Sequence, residues 1–325
     1  MKNIIVFGAT GNIGVYLIDY LHDNIENEYK IYACGRKKTL FFSKFNIEYI
    51  NIDITKKEEF DKLPNESYAI INLAGILPAY YKDFNPNTYI DTNITGAINI
   101  LEYARKSHAD RVLYTQTWAD LQGYFGKEEV LKPYMERKLE YTGDHAFYAI
   151  TKCMVLDTME FYKQEFGIKN FIFRLPNIYL YNPTKYYYVD GEKKYISYRY
   201  LIDKISEGSD IELWGDPNAF KDIIYVKDLC QMMYLAIKAN VNGGIYNAGT
   251  GIKTSFKEQI DGMIQVFGNN NKIIYKPEKP TFTSFVMDIS NAINDLGYKP
   301  KSSDIDYLKD YKKEQELKRF DELWK

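Results

Sequence analysis

The chain has 325 residues, 46% of them hydrophobic and 26% charged, with a formal net charge of −2 and a pI near 6.1. That length holds one large α/β domain or two interleaved ones, and the apolar fraction supports a true core. The charge balance excludes a surface built for nucleic acid, and three scattered cysteines (Cys34, Cys153, Cys230) exclude a disulfide framework and fit a reducing cytoplasm.

The first strand is "NIIVFG" (3–8), inside an apolar opening that breaks into glycines too soon for a signal peptide. An amphipathic helix from Asn12 to about His22 follows, then strands at 30–35 and 47–53, a helix near 56–63 and a strand at 68–75. A long helix is predicted at 87–106, a strand at 111–117, a second long helix at 148–166 and a strand at 170–175. Continuous apolar strands alternating with helices predict a parallel sheet covered on both faces. The stretch 181–200 shows no clear period and reads as an inserted, mobile loop. Beyond it come a helix near 199–207, a strand and helix within "DIIYVKDLCQMMYLAIKA", the strand "GGIYNAG", and helices near 254–267, 289–296 and 305–322. The expected fold is α/β: a Rossmann-type doubly wound sheet over 1–176, with 221–248 crossing back into it. A smaller α/β substrate domain is expected from 177–220 and 249–325. No stretch approaches the roughly 20 apolar residues that span a bilayer, and no metal site is expected.

"FGATGNIG" puts Gly8, Gly11 and Gly14 between the first strand and the first helix. Glycines there let the backbone approach a pyrophosphate at a helix N-terminus. The second strand ends in "CGRKK". NAD-binding folds usually carry an acid there for the ribose hydroxyls, whereas Gly35 followed by Arg36 and Lys37 suits the 2′-phosphate of NADP. NADP(H) is therefore expected ahead of NAD(H). The pattern Tyr-x-x-x-Lys, which stacks both side chains on one helix face, occurs six times, from Tyr134, Tyr148, Tyr181, Tyr200, Tyr234 and Tyr275. Only Tyr148 opens a long helix between the fifth and sixth strands.

With "NIDIT" (51–55), "NLAG" (72–75), "DTNITGAINILEYARK" (91–106), "LYTQT" (113–117), "YAITK" (148–152), "RLPNIY" (174–179), "GDPNAFKDIIYVKDL" (215–229) and "YNAGTG" (246–251) in this order, the chain resembles the extended short-chain dehydrogenase/reductases, the NAD(P)-dependent epimerase/dehydratase family acting on nucleotide sugars. The resemblance implies catalysis by Tyr148 as general acid/base, Lys152 as its electrostatic partner and Thr117 bonding the reacting oxygen, with Thr115 the competitor. An ammonium one turn away is expected to lower the phenol pKa of Tyr148. Cofactor contacts are expected at Gly8, Gly11, Asn12, Ile13, Gly14, Arg36, Lys37, Asp53, Ile54, Leu73, Ala74, Gly75, Asn93, Thr115, Tyr148, Lys152 and Leu175. Substrate contacts are expected at Thr117, Asn177 and Lys221.

Several departures shape the expected activity. The Asp-Glu pair that 4,6-dehydratases place after the Thr is absent, since Trp118 and Ala119 follow and Asp120 comes one place late. Lys221-Asp222 replaces the usual Arg-Asp, and Leu180 stands where a Gly is usual. "AGILPAYY" (74–81) should reach the sugar pocket. Ile90, Ile94, Ile98 and Leu101 are expected to face the sheet, and Val155, Met159, Tyr162 and Phe166 form a second stripe. In the family these two helices make a dimer, so a homodimer is expected. The first function expected is an NADPH-dependent 4-keto reductase of a nucleotide-linked deoxysugar, working in the cytoplasm. A C4 epimerase retaining NAD and a non-catalytic NADP sensor are the alternatives.

Overall fold

Ile4 and Val6 of the first strand pack into one apolar cluster, and Ile5 and Phe7 into another. A strand apolar on both sides needs two covering layers, and the rest of the chain supplies them. The computed structural model describes residues 1–324 apart from 79–82, 144, 190, 269 and 302–304. Its first half runs β1 (Lys2–Phe7), α1 (Asn12–Asn24), β2 (Tyr29–Gly35), β3 (Glu48–Asn51), β4 (Ala69–Asn72), α2 (Pro86–Tyr89), α3 (Gly96–Lys106), β5 (Arg111–Thr117), β6 (Val130–Leu131), α4 (Ala146–Phe166) and β7 (Lys169–Leu175). The second half runs β8 (Asn177–Tyr179), β9 (Tyr186–Val189), β10 (Glu192–Tyr195), α5 (Ser197–Ser206), β11 (Ile211–Trp214), β12 (Ile223–Tyr225) and α6 (Val226–Lys238). It ends with β13 (Gly243–Asn247), α7 (Phe256–Phe267), β14 (Ile273–Lys276), β15 (Val286–Met287), α8 (Ser290–Leu296) and α9 (Asp306–Leu317).

Seven strands form one sheet in the order β13-β7-β5-β4-β1-β2-β3, every neighbouring pair parallel. One face packs on α1 and α6, through Val15, Leu17, Ile18, Met232 and Met233. The other packs on α3 and α4, through Ala97, Ile100, Leu101, Val155 and Met159. The chain moves outward from β1 to β2 and β3, then returns to β4 and proceeds the other way. The crevice between β1 and β4 is thus the reversal point where such sheets bind ligands.

Four expectations need correction. The helix near 56–63 is a short 3₁₀ helix, Lys57–Lys62. The supposed loop over 181–200 contains the antiparallel hairpin β9–β10 and the start of α5, and β8 just before it pairs with β12. Consecutive tyrosines (186–188) on both faces hide the alternation that would reveal a strand. Of the segment 221–248, β13 joins the main sheet and α6 packs on it, while β12 stays outside with β8. The helix at 87–106 is broken by a π-helical stretch, Ile90–Thr95. A π turn carries an extra residue and shifts the phase of the face. Leu101 therefore meets the sheet, Ile90 is 39% exposed, and Ile94 and Ile98 are half-buried. On α4 the sheet side is Val155, Met159 and Tyr162, while Phe166 points outward with Ile150, Met154 and Phe161. No helix among the described residues is long and apolar enough to cross a membrane.

Candidate active site

Gly8 takes φ +82°, and a Cβ there would lie 2.8 Å from Ala74 N and Leu73 C. The chain after β1 therefore touches the chain after β4, with no room for a side chain. A Cβ on Gly14 would sit 2.1 Å from Gly8 O, so α1 also closes directly onto the turn. Gly11 is the N-cap of α1 and uses no side chain to cap it. The first N–H groups of a helix lack intrahelical partners, which suits an anionic ligand at this end. A cavity of about 260 Å³ opens here, lined by Gly8, Gly11, Arg36, Lys37, Ile54, Leu73, Ala74 and Gly75 among the expected residues. Phe7, Thr10, Cys34, Gly35, Ile52 and Thr92 complete it. Thr10 was legible as a member of the glycine turn, but Thr92 was not, because the π turn sets its direction. A larger cavity of about 630 Å³ lies between the 57–65 segment and α3, and none of the expected site residues lines it.

The remaining expected cofactor residues fall outside that lining. Asn12 and Ile13 are half-buried in the first turn of α1. Asp53 accepts hydrogen bonds from Thr55 N at 3.0 Å and Thr55 Oγ1 at 2.9 Å. Burial pushes its pKa up, but these bonds and the Arg36 charge outweigh it and hold the carboxyl below the usual range. Asn93 spends its amide on the chain itself. Its Oδ1 accepts from Ile76 N at 2.7 Å, and its Nδ2 donates to Ile76 O and Thr151 Oγ1, each at 3.2 Å. Asn93 therefore fixes the loop after β4 against α4 and holds the site's shape. Thr115 and Leu175 are paired sheet residues on β5 and β7.

Of the six Tyr-x-x-x-Lys pairs, only Tyr148 and Lys152 are buried at both ends. Both stand on α4, where it crosses the C-terminal edge of β5. Tyr148 packs with Ile76, Tyr89 and Phe147. Lys152 Nζ lies 3.9 Å from the ring centroid of Tyr114 on β5, a cation–π contact. Tyr114 was missed from sequence because a strand tyrosine in a tyrosine-rich chain carries no signal. The expected lowering of the Tyr148 pKa is reversed. Burial, aided by Tyr89, pushes the phenol well above its usual value, while burial also lowers Lys152 to about 7. Burial thus shifts both groups towards their neutral forms.

Thr117 ends β5 and is buried. Its Oγ1 accepts from Ala119 N at 3.2 Å, capping the 3₁₀ helix Trp118–Tyr124. The Trp118 ring stacks on Phe125 and on His145, and His145 meets the Tyr148 ring edge-on at 6.4 Å. This aromatic wall beside Tyr148 was also missed. Asn177 is exposed on β8. Lys221 is half-buried with Nζ 4.6 Å from the Phe282 centroid, and no carboxylate among the described residues pairs with it. Its neighbour Asp222 accepts from Thr250, Gly251 and Met287, which anchors that strand of the second half. Tyr80 and Tyr81, expected at the sugar pocket, lie outside the described residues.

The sequence model described as the NAD dependent epimerase/dehydratase family matches residues 4–249. The chain belongs to this family. It is therefore an enzyme of the extended short-chain dehydrogenase/reductase group. The chain is 28% identical over 302 residues to "Putative UDP-glucose 4-epimerase" of Methanocaldococcus jannaschii, covering 92% of this chain and 93% of that one. It is 23% identical to GDP-L-fucose synthase of Sinorhizobium fredii, covering 93% and 91%. Among solved structures it resembles UDP-glucose 4-epimerase of Thermotoga maritima with UDP-glucose, at a TM-score of 0.77 and 22% identity, covering 97% and 99%. UDP-glucuronic acid 4-epimerase of Bacillus cereus in complex with NAD gives a TM-score of 0.73 at 21% identity, covering 96% and 97%. At these identities the structural likeness establishes the fold.

For this family member the buried ammonium has a consequence for stability. The usual lysine value is 10.5, and Lys152 is lowered to about 7 in the folded state. Below pH 7 both states carry the proton, so the folded state bears the whole cost of burying it. Between 7 and 10.5 the unfolded state binds more protons, and stability rises with pH. In the cofactor-free protein, Lys152→Met is therefore expected to gain about 3–5 kcal/mol at low pH, a gain that fades as pH climbs from about 7 and is gone above the usual lysine value. Denaturant unfolding across the pH range reads this directly. A gain independent of pH would show that the ammonium is not its cause.

Proposed function

We propose that this enzyme reduces a 4-keto nucleotide sugar with NADPH. The ribose end of the cavity carries this reading. Arg36 and Lys37 line it, and a Cβ on Gly35 would lie 3.0 Å from both Thr10 Oγ1 and Tyr49 Oη. An acid for the ribose hydroxyls would have to displace those two side chains, whereas a 2′-phosphate meets two cations. The glycine turn, where side chains are excluded at Gly8 and Gly14, fits the pyrophosphate of such a cofactor.

The bound cofactor supplies the hydride. The chain supplies the rest. Tyr148, held as a phenol by burial, donates its proton to the carbonyl oxygen of the sugar. Thr117 hydrogen-bonds that oxygen, and Lys152 holds the ribose beside Tyr148. Lys221 and Asn177 receive the diphosphate. Asp120 is sealed against Arg174, which removes it from any elimination in the sugar pocket. In this reading residues 1–176 with the 221–248 return bind cofactor, and 177–220 with 249–325 bind substrate. Exposed Ile150, Met154 and Phe161 on α4, with Ile90, support a homodimer through this face. The three buried free cysteines suit the cytoplasm.

A C4 epimerase holding NAD is the second reading, favoured by the Methanocaldococcus relative. Native mass spectrometry of freshly purified protein separates the two. A dimer that is empty, or that exchanges NADP, supports the reductase, and NADPH consumption with 4-keto nucleotide sugars should follow. A dimer retaining one NAD per chain would overturn it in favour of the epimerase.

A further inference from the structure

The turn after β2 is held from two directions. From β3, Asn51 Nδ2 donates to Gly35 O at 3.1 Å and Arg36 O at 2.8 Å. The Tyr49 hydroxyl lies 2.9 Å from Gly35 O and 2.5 Å from Lys37 O, its one proton shared between them. Three successive carbonyls are thus taken by two side chains. The second direction is distant in sequence. Lys37 Nζ donates to Leu323 O at 2.8 Å, across 286 residues. That carbonyl belongs to the segment following α9, which runs back over the nucleotide-binding half.

The segment is firmly seated. The Arg319 guanidinium bonds both Asp19 oxygens on α1, at 2.9 and 3.0 Å, and both Glu314 oxygens, at 3.0 and 2.7 Å. Phe320 is buried between Tyr16 and Phe41, with centroids at 4.9 and 6.1 Å. Leu323 is buried as well. An ammonium has three donors, so Lys37 gives one to Leu323 and keeps two for the cavity. Among the described residues neither Arg36 nor Lys37 forms an ion pair, although the Arg36 charge acts on Asp53.

We propose that the segment Arg319–Leu323 is a positioning element for cofactor selectivity: seated on α1 by Arg319, it holds Lys37 where the ammonium meets the 2′-phosphate of NADP. A long lysine loses substantial rotamer freedom when it binds a phosphate. A carbonyl that already orders the side chain removes part of that cost, and the gain accrues to NADP and not to NAD. This inference rests on the NADP reading above.

The test is a cycle of Kd measurements for NADPH and NADH on wild type, Lys37→Ala, Arg319→Ala and the double variant, with Asp19→Asn as a milder release of the segment. Arg319→Ala and Lys37→Ala should each lower the NADPH-over-NADH preference by about fivefold to tenfold, mainly through weaker NADPH binding. The double variant should lose no more than Lys37→Ala alone, since the segment acts through that side chain. Asp19→Asn should shift the preference the same way by a smaller factor. A preference lost in Lys37→Ala but kept in both Arg319→Ala and Asp19→Asn would overturn the proposal and leave the cofactor reading intact. A wild type without preference for NADPH would overturn both.

Discussion

Tyr148→Phe is expected to lower kcat for the reduction of a 4-keto nucleotide sugar by about 10³-fold, within the range of a lost general acid. The substitution keeps the ring that packs on Ile76, Tyr89 and Phe147, so the fold loses no core volume. What goes is one hydroxyl, the group that in the proposed reaction hands a proton to the sugar oxygen. Burial raises the phenol pKa further, so the hydroxyl is protonated across the physiological range and enters the proposed reaction as the proton donor. NADPH affinity should change little, because in the proposed reading most cofactor contacts lie at the glycine turn and the cavity beside it, away from Tyr148. KM should move less than kcat, the pattern of an interaction made in the transition state. Loss of NADPH absorbance at saturating substrate, with cofactor binding measured alongside, decides the matter. A variant keeping more than about a tenth of wild-type kcat would remove Tyr148 from the proton path. A non-catalytic sensor would be indifferent to the change.

Arg174→Met is expected to destabilise the fold by about 3–5 kcal/mol, the scale for breaking one side of a buried ion pair. Arg174 on β7 bonds Asp120 through Nε at 2.9 and 3.2 Å and through Nη2 at 3.0 Å. Its Nη1 donates to Pro133 O at 2.8 Å and Asn247 Oδ1 at 3.0 Å. One side chain thus ties β7 to β13, to the helix after Thr117 and to the connection leading to α4. Both partners are essentially without solvent contact, at 1% and 0% exposure. Burial already raises the Asp120 pKa in the presence of its partner. With Arg174 gone the carboxylate is alone, and it is tolerated only when protonated. The loss should therefore be largest at neutral and higher pH and shrink as pH falls towards the raised carboxyl value. Denaturant unfolding of Arg174→Met against Arg174→Met/Asp120→Leu tests the cause. The double variant should recover much of the stability, since an apolar pair can replace a buried ionic one. Equal instability of single and double variants would show that lost packing is responsible.

These two residues illustrate what a linear reading reaches. Tyr148 was selected by its place at the head of a helix following the fifth strand, and the structure adds burial at both ends of its pair, which the other five pairs lack. Asp120 was legible only as an acid one position too late for elimination. Its partner lies 54 residues away, and no local pattern announces a pairing at that distance. Asn93 matched a family position, yet its amide is consumed by Ile76 and Thr151. That outcome depends on where a loop and a second helix arrive. The phase of the 87–106 helix was also out of reach, because the π turn over Ile90–Thr95 shifts the faces on its two sides relative to each other.

The sequence by itself determined the sheet's class, its order of elements and the glycine turn. Each is written in the period of apolar residues or in the spacing of residues without side chains, and both act over one or two turns of backbone. The tertiary structure alone decided that Lys152 lies over Tyr114, that Arg174 neutralises Asp120, and that Lys37 meets Leu323. Those contacts join residues 38, 54 and 286 positions apart. They exist only because parallel strands and the layers packed on them bring such positions together, and burial then decides which charges must be paired and which stay available to a ligand.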